Sequence, residues 1–406
     1  MDQRKKVLIA LGGIAVVALI VWFVRADRTA RTETQTILLT DDGRDATLVD
    51  YTPQQLTVGK ESGRSVLSGR ICDAWNKRPI AVMYTGDAGA RKYFTGLSSA
   101  EIVVEMPHRA THGGTRVMGI FQCDAPEIVG PMRSGRVDFL GVANAFDAIF
   151  VPWGGSSIVK NLLSQKVNDH IDCNDEVPPG GGDACFRRSR VPGGPVSAMD
   201  RASANVKKLI ARAHELGYRE QTQFSALQFQ TDIPRSQRPE YGHLKIYFEK
   251  PFRVEYYYDP ETNSYKRFFN KQPDKDLATQ MQYAPKNVVV LSAKKSPFST
   301  TETYAAKGLR NPWDGIDDTH RKNDSGQYPN MELGDPWFDV QRSGTARYYM
   351  NGREIIGTWT RERRIGAPFE FLDENGKPIH FVEGQIWIEV PESNRKIRYR
   401  STKSEE

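Results

Sequence analysis

Residues 7–24 read VLIALGGIAVVALIVWFV, an uncharged apolar run set between Arg4, Lys5, Lys6 and Arg25. At about 1.5 Å per helical residue such a run just crosses a hydrocarbon core. Trp22, Phe23, Val24 and Arg25 close it with no small-residue cleavage pattern, so the run reads as a retained anchor and not a cleaved signal. The first cysteine is Cys72, which excludes a lipidated N-terminal cysteine. Arg4, Lys5 and Lys6 are nearly balanced by Arg25, Arg28 and Arg31, so charge barely orients the span. The four cysteines decide the matter. Their even number favours an oxidising exterior, and Cys173 and Cys185 bracket a Pro/Gly-rich loop that a disulfide can staple. Cys72 and Cys123 are either buried thiols or a second bridge. The expected topology is a cytoplasmic tail over 1–6, a transmembrane anchor over 7–24, and the rest of the chain outside the cytoplasmic membrane.

The chain beyond the anchor is too long for one ordinary domain. Residues 25–64 are polar and read as a stalk, with order beginning near Ser65. RPIAVMY (78–84), AEIVVEM (100–106), TRVMGIFQC (115–123) and FDAIFVPWGGSS (146–157) are strand candidates. SANVKKLIARAHELGY (203–218) places Val206, Leu209, Ile210, Ala213 and Leu216 on one helical stripe and stops at Gly217. Strands alternating with helices make 65–225 an α/β domain. Residues 226–242 form a proline-containing linker. From 243 to 400 the runs HLKIYFEKPFRVEYYYD, KNVVVLSA, TARYYMNG, REIIGTWTRE and QIWIEVPE are strand-like, and MNGRE and ENGKP carry the Asn-Gly signal of two-residue hairpins. The fold class expected is therefore an α/β first domain plus a mostly β second domain behind one N-terminal transmembrane helix, with 296–338 a polar surface excursion.

Net charge of +6 and a pI near 8.9 permit contact with anionic envelope material, and no basic block with interleaved aromatics argues for nucleic acid. His108 and His112 have the spacing of a helical zinc pair but lack its acid, and Gly113 and Gly114 would end the helix, so neither metal nor cofactor is expected. WGGSS lacks the elbow of a serine hydrolase. Glu105, at the end of an apolar run, is a candidate general acid whose pKa burial would raise, or else a satisfied structural partner. Gly154, Gly155 and Ser156 can cradle a ligand after a strand. In GPMRSGRVDF (130–139), Arg133 and Arg136 flank Ser134 ahead of FLGVANAF. Two guanidinium forks at i and i+3 suit one carboxylate or phosphate, the more so if a helix N-terminus points the same way. The competing reading pairs them with Glu105, Glu127, Asp138 or Asp147 to lock the fold.

SVLSGRICDAWNKRPIAVM, GLSSAEIVVEM, GGTRVMGIFQCDAPEIVGPMRSGRVDFL and FDAIFVPWGGSS resemble, in order, the first domain of the YerB-like envelope lipoproteins, a family of unknown function. YYYDPETNSYKRFFNKQPDKD, APKNVVVL, GTARYYMNGREIIGTWTRE and PFEFLDENGKPIHFVEGQIWIEVPE resemble its β-rich second domain. The resemblance runs from about residue 65 to 392. It implies an envelope protein that binds cell-wall polymer or other anionic envelope material, or regulates wall-synthesis and division proteins. The alternative is an enzyme acting on peptidoglycan glycan or a lipid-linked polymer through Glu105 and the arginines. Arg116, Arg133 and Arg136 match family arginines, and Arg187 and Arg190 lie in the arginine-rich strand. Three departures stand out: a membrane run replaces the lipobox, HRATHGGTR lacks the glutamate of the family's E-G-G-T-R, and FRRSRVPGGPVSA lacks its Pro-His-Asn run.

Overall fold

The computed structural model describes residues 53–108, 114–193, 196–250, 252–297, 329–330, 343–362 and 366–403. The anchor over 7–24 lies outside them, as do His112 and most of the excursion over 296–338. Among the described residues no helix is long and apolar enough to cross a membrane.

Residues 51–406 make one compact unit built on a nine-stranded sheet. Its parallel strands are short, largely apolar runs: Ile80–Tyr84 (β2), Ile102–Pro107 (β3), Ile149–Val151 (β5, at one edge), Asn287–Leu291 (β13) and Ile386–Glu389 (β20). Every residue in these strands is buried, the pattern that parallel strands covered on both faces require. They all run one way, while Thr115–Phe121 (β4) runs against β2 and β3. Ser343–Met350 (β16), Arg353–Arg361 (β17) and Phe369–Asp373 (β18) extend the far edge antiparallel, giving the order β18-β17-β16-β13-β20-β3-β4-β2-β5. Strands from before and after residue 240 thus share one sheet, joined where β20 pairs with β3.

Two layers cover it. On one face, Val137–Ala145 (α1) and Ser157–Ser164 (α2) bury Phe139, Leu140, Ile158 and Leu162 against Met83, Val104 and Ile120. On the other, Val206–Glu215 (α3) covers one end. A five-stranded antiparallel sheet covers the rest: His243–Tyr247 (β9), Arg253–Asp259 (β10), Ser264–Phe269 (β11), Gln272–Pro273 (β12) and Ile397–Arg400 (β21), in the order β12-β11-β10-β9-β21.

Three boundaries differ from the sequence reading. Gln55–Leu56 (β1), inside the expected stalk, pairs with Gln228–Gln230 (β8), inside the expected linker, and β8 pairs in turn with His380–Val382 (β19). Both segments are held because Phe229 buries itself against Gly69 and Phe381. The helix expected over 203–218 begins only at Val206. Ala202–Ala204 (β7) pairs with Cys185–Arg187 (β6), and Asn205 caps the helix through Lys208 N (2.9 Å). Its stripe narrows to Val206, Leu209 and Ala213, with Ile210 exposed. Ser296–Pro297 (β14) pairs with Pro329–Asn330 (β15) in a short antiparallel ribbon.

Asn351 and Gly352, both at positive φ, close the β16–β17 hairpin in two residues as expected. ENGKP closes in three: Asp373 accepts the amides of Asn375 and Lys377 (2.8 Å each), and Gly376 takes positive φ. Both disulfides form, Cys173–Cys185 and Cys72–Cys123.

A candidate anion-binding edge

The carboxyl ends of β2, β3 and β5 lie along one edge of the sheet, the place where open α/β sheets hold ligands. Past the last β2–β5 pair, Val82 with Val151, residues 131–135 enter between the two chains. Arg133 N donates to Met83 O (3.1 Å), Trp153 N to Arg133 O (3.1 Å) and Gly135 N to Gly154 O (2.9 Å). Gly135 and Gly155 pair in parallel, and each is followed two residues later by the first residue of a helix. GPMRSGR and WGGSS, far apart in sequence, therefore end in two helix N-termini side by side.

Each N-terminus presents first-turn amides with no intrahelical partner, which favour negative charge. The two are not equivalent. α1 carries Asp138 in its first turn, whereas the first turn of α2 has no acid. The N-cap of α2, Ser156, makes no side-chain cap bond; its Oγ is buried and has no hydrogen-bond partner among the described residues. Gly154 is needed for backbone reasons: its φ is +68°, and a Cβ there would sit 2.6 Å from Glu176 Oε2. Asp172 fixes the turn by accepting from Gly154 N (2.7 Å), Asn174 N (2.9 Å) and the amides of Glu176 and Val177 (3.0 Å each). Cys173, the next residue, is anchored by its disulfide to Cys185, so the bridge supports the turn that places Ser156.

The arginines divide. Arg133 is buried and committed to the fold: it donates to Met132 O (3.0 Å), Met199 O (2.6 Å) and Asp200 Oδ1 (2.5 Å). The expectation that Arg133 and Arg136 grip one anion is corrected accordingly, because Asp200 already holds Arg133. Arg136 is buried at the N-cap of α1, bonded to its neighbour Gly135 O (2.7 Å), with Ser134 half-buried beside it. Arg116 starts along β4 on the face of Met118 and Ile120, the face that α1 and α2 cover. Arg187 lies over the Trp153 ring (4.8 Å) and donates to Ala198 O (2.5 Å), next to the glycine turn. Arg190 lies apart, in a groove of about 710 Å³ with Val191, Pro192, Val196 and Arg201. Among the described residues no group of three or more His, Cys, Asp or Glu could hold a metal.

Glu105 belongs elsewhere. It is fully buried on β3, facing the five-stranded sheet, and bonds Arg91, Arg267 and Thr115 (2.5 Å). Arg267, also fully buried, crosses from β11, pairs with Asp274 as well, and lies over the Trp387 ring (4.3 Å). Glu389 stands beside Glu105 in register on β20, accepts from Tyr256 Oη (2.5 Å) and lies 3.6 Å from Arg267. Burial pushes Glu105 up, but Arg91, Arg267 and Thr115 overcome it and hold the carboxyl below its ordinary range. This reverses the raised value expected of a general acid. Burial and the charge of Glu105 instead push Glu389 up to about 7. Of the pair, Glu105 is the one the arginines hold charged and Glu389 the one whose carboxyl is pushed towards the protonated form. Sequence reading missed Glu389, although IVVEMP (102–107) and IWIEVP (386–391) carry their acids at the same place in twin apolar strands.

Residues 67–218 match the family model described as "Protein of unknown function (DUF3048) N-terminal domain", and 244–388 match its C-terminal domain. The chain is 26% identical over 318 residues to "Putative lipoprotein YerB" of Bacillus subtilis strain 168, covering 77% of this chain and 81% of that one. A crystal structure of the YerB protein from Bacillus subtilis superposes with a TM-score of 0.62 at 24% identity, over 82% of this chain and 99% of that one.

Proposed function

The chain belongs to the DUF3048 family, and from that premise we propose that it is an envelope-associated protein that binds an anionic group of cell-wall or related envelope polymer at the paired helix N-termini. One observation carries this reading: the N-terminus of α2 has no acid in its first turn and a buried Ser156 hydroxyl without a partner among the described residues, at the carboxyl edge of a parallel sheet. Ser156, the first-turn amides of α2 and the Gly154–Gly155 turn form the cradle, with Arg136 and Arg116 supplying positive charge. The relative's name supports an envelope setting, as do two disulfides. Residues 7–24 would supply a membrane anchor in place of a lipid. The bulk of the chain would then face the wall, as a binding protein or a regulator of wall-synthesis proteins.

The experiment is sedimentation of residues 51–406 with purified wall sacculi, for the wild type and for Ser156→Ala with Arg136→Gln. The wild type should pellet without releasing soluble sugar, and the double variant should pellet less than the wild type while still folded. Release of soluble fragments by the wild type would favour the enzymatic alternative, and equal pelleting of the variant would overturn the site.

A further inference from the structure

The outer face of the five-stranded sheet, across the molecule from α1 and α2, is a second built surface. Its inner face is spent on the core, where Leu244, Val254, Tyr256 and Tyr265 are fully buried. Period-2 alternation puts the intervening residues outside. Cross-strand register then fixes their neighbours: Phe268, Glu255, Lys245 and Arg398 form one row, and Lys266, Tyr257, His243 and Arg400 the next. Lys266, Arg398 and Arg400 are exposed, while Lys245, Arg253, Tyr257 and Phe268 are half-buried.

The charges on this face are mostly cationic, and its acids are already used: Asp259 holds Lys266 (2.8 Å). Glu255 bonds Arg253 (2.8 Å), Lys245 (3.4 Å) and His243 (2.9 Å), so it orients two cations instead of repelling an anion. The aromatics are held as firmly. Tyr257 stacks on His243 with centroids 3.9 Å apart, Phe268 meets Tyr257 edge to face at 5.1 Å, and Arg398 lies over Tyr247. A groove of about 450 Å³ runs between Lys245, Arg253, Lys271, Tyr257 and Phe268, and a neighbouring one of about 310 Å³ shares Arg253 and Lys271. Aromatic floors take the apolar faces of flat rings, and fixed cations along the walls take charges repeated along a chain. A sugar polymer with acidic groups and a single-stranded nucleic acid both present that chemistry. Two disulfides favour an oxidising compartment, where the sugar polymer is the one at hand.

We propose that this face docks an acidic polysaccharide, with sugar rings against Tyr257 and Phe268 and the acidic groups on Lys245, Arg253 and Arg398. The site is independent of the helix-terminus cradle and extends the contact with envelope polymer to a second side of the molecule.

The test titrates the full chain, its apolar N-terminal segment held in non-ionic detergent, with polygalacturonate, with neutral dextran of equal length and with oligo-dT. Polygalacturonate should bind, dextran should not, and oligo-dT should bind more weakly. Lys245→Gln with Arg398→Gln, both at solvent-reached positions, should weaken polygalacturonate at least tenfold and flatten its salt dependence by about one counterion per cation removed. Phe268→Leu keeps apolar bulk and removes the ring, and should weaken binding severalfold with little change in salt slope. Ser156→Ala with Arg136→Gln should leave this binding unchanged, which separates failure here from failure of the cradle. Unchanged affinity in the Lys245/Arg398 variant, tighter binding of oligo-dT, or loss of binding through the Ser156/Arg136 variant would each overturn the proposal.

Discussion

Replacing Glu389 by Gln should make the protein gain on the wild type as pH rises from 5 to 8. Glu389 and Glu105 stand side by side on parallel strands, fully buried, and Arg267 serves both. The fold raises the Glu389 carboxyl from 4.5 to about 7 through burial first and the Glu105 charge second. Because the folded chain holds this proton to a higher pH than the unfolded chain, the stabilisation is full below about pH 4.5, fades as pH rises through about 7, and is gone above that. At 1.36 kcal/mol per unit the shift corresponds to about 3 kcal/mol. Glu101, raised to about 7 chiefly by burial, adds a loss in the same window. His243, lowered chiefly by burial, works against it, gaining stability as pH rises towards 6.5. Glu105 and Asp147, both lowered, contribute fully above the ordinary carboxylate range and lose stability only as pH falls below it. The difference between Glu389→Gln and wild type cancels the contributions of groups away from Glu389, such as Glu101, Asp147 and His243, and leaves that of Glu389 with the response of Glu105 beside it. Gln keeps the shape and an N–H where the acid carries its proton, so the variant should be near neutral at pH 5 and ahead by up to about 3 kcal/mol at pH 8. Urea unfolding of residues 51–406 at pH 5, 6, 7 and 8, monitored by tryptophan fluorescence with Trp387 beside the cluster, measures it. A gap between variant and wild type that stays constant with pH would refute the raised Glu389 carboxyl.

Opening Cys72–Cys123, whose cysteines lie 51 residues apart, should cost about 4 kcal/mol, against about 3 for Cys173–Cys185 at 12 apart, in the chain-entropy account. Denaturation of the two Cys→Ser pairs checks the order, and no free thiol should be found on unreduced, unfolded protein. Arg133→Gln should destabilise by about 1.5–3 kcal/mol by releasing Asp200 and Met199 O, as a thermal melt would read; a change within about 0.5 kcal/mol would return Arg133 to the anion site. Gly86→Ala should cost about 3 kcal/mol or prevent folding, since its Cβ would fall 1.8 Å from the backbone oxygen of Thr115 and β4 would have to shift. Normal expression and melting of that variant would contradict the close approach.

Local chemistry was legible in the sequence where the backbone alone decided it. The parallel strands show as β-branched runs, the β16–β17 turn as Asn351-Gly352, and the end of α3 as Gly217, which takes positive φ. Features that depended on distant partners were not legible. Gln228–Gln230 reads as linker because its pairing with β1 and β19 comes from opposite ends of the chain. Ile210 fits the apolar stripe of α3 but lies at its edge, where the contact made by Leu209 and Ala213 runs out. At the candidate site, the motif arginines and the glycine turn were visible as separate stretches. Their meeting at Gly135 and Gly155 was not, nor was the diversion of Arg133 to Asp200, 67 residues away. Glu105 was visible as an acid in an apolar strand, but its role depends on Arg267, 162 residues away.

The cradle itself is tested most directly by tracking backbone amide resonances of residues 51–406 while inorganic phosphate is added. The account predicts saturable shifts concentrated at Ser157, Ile158 and Val159, with smaller ones at Val137 and Phe139, and their loss in Ser156→Ala with Arg136→Gln. Shifts that never saturate, that fall on the outer face of the five-stranded sheet alone, or that persist unchanged in the variant would contradict it.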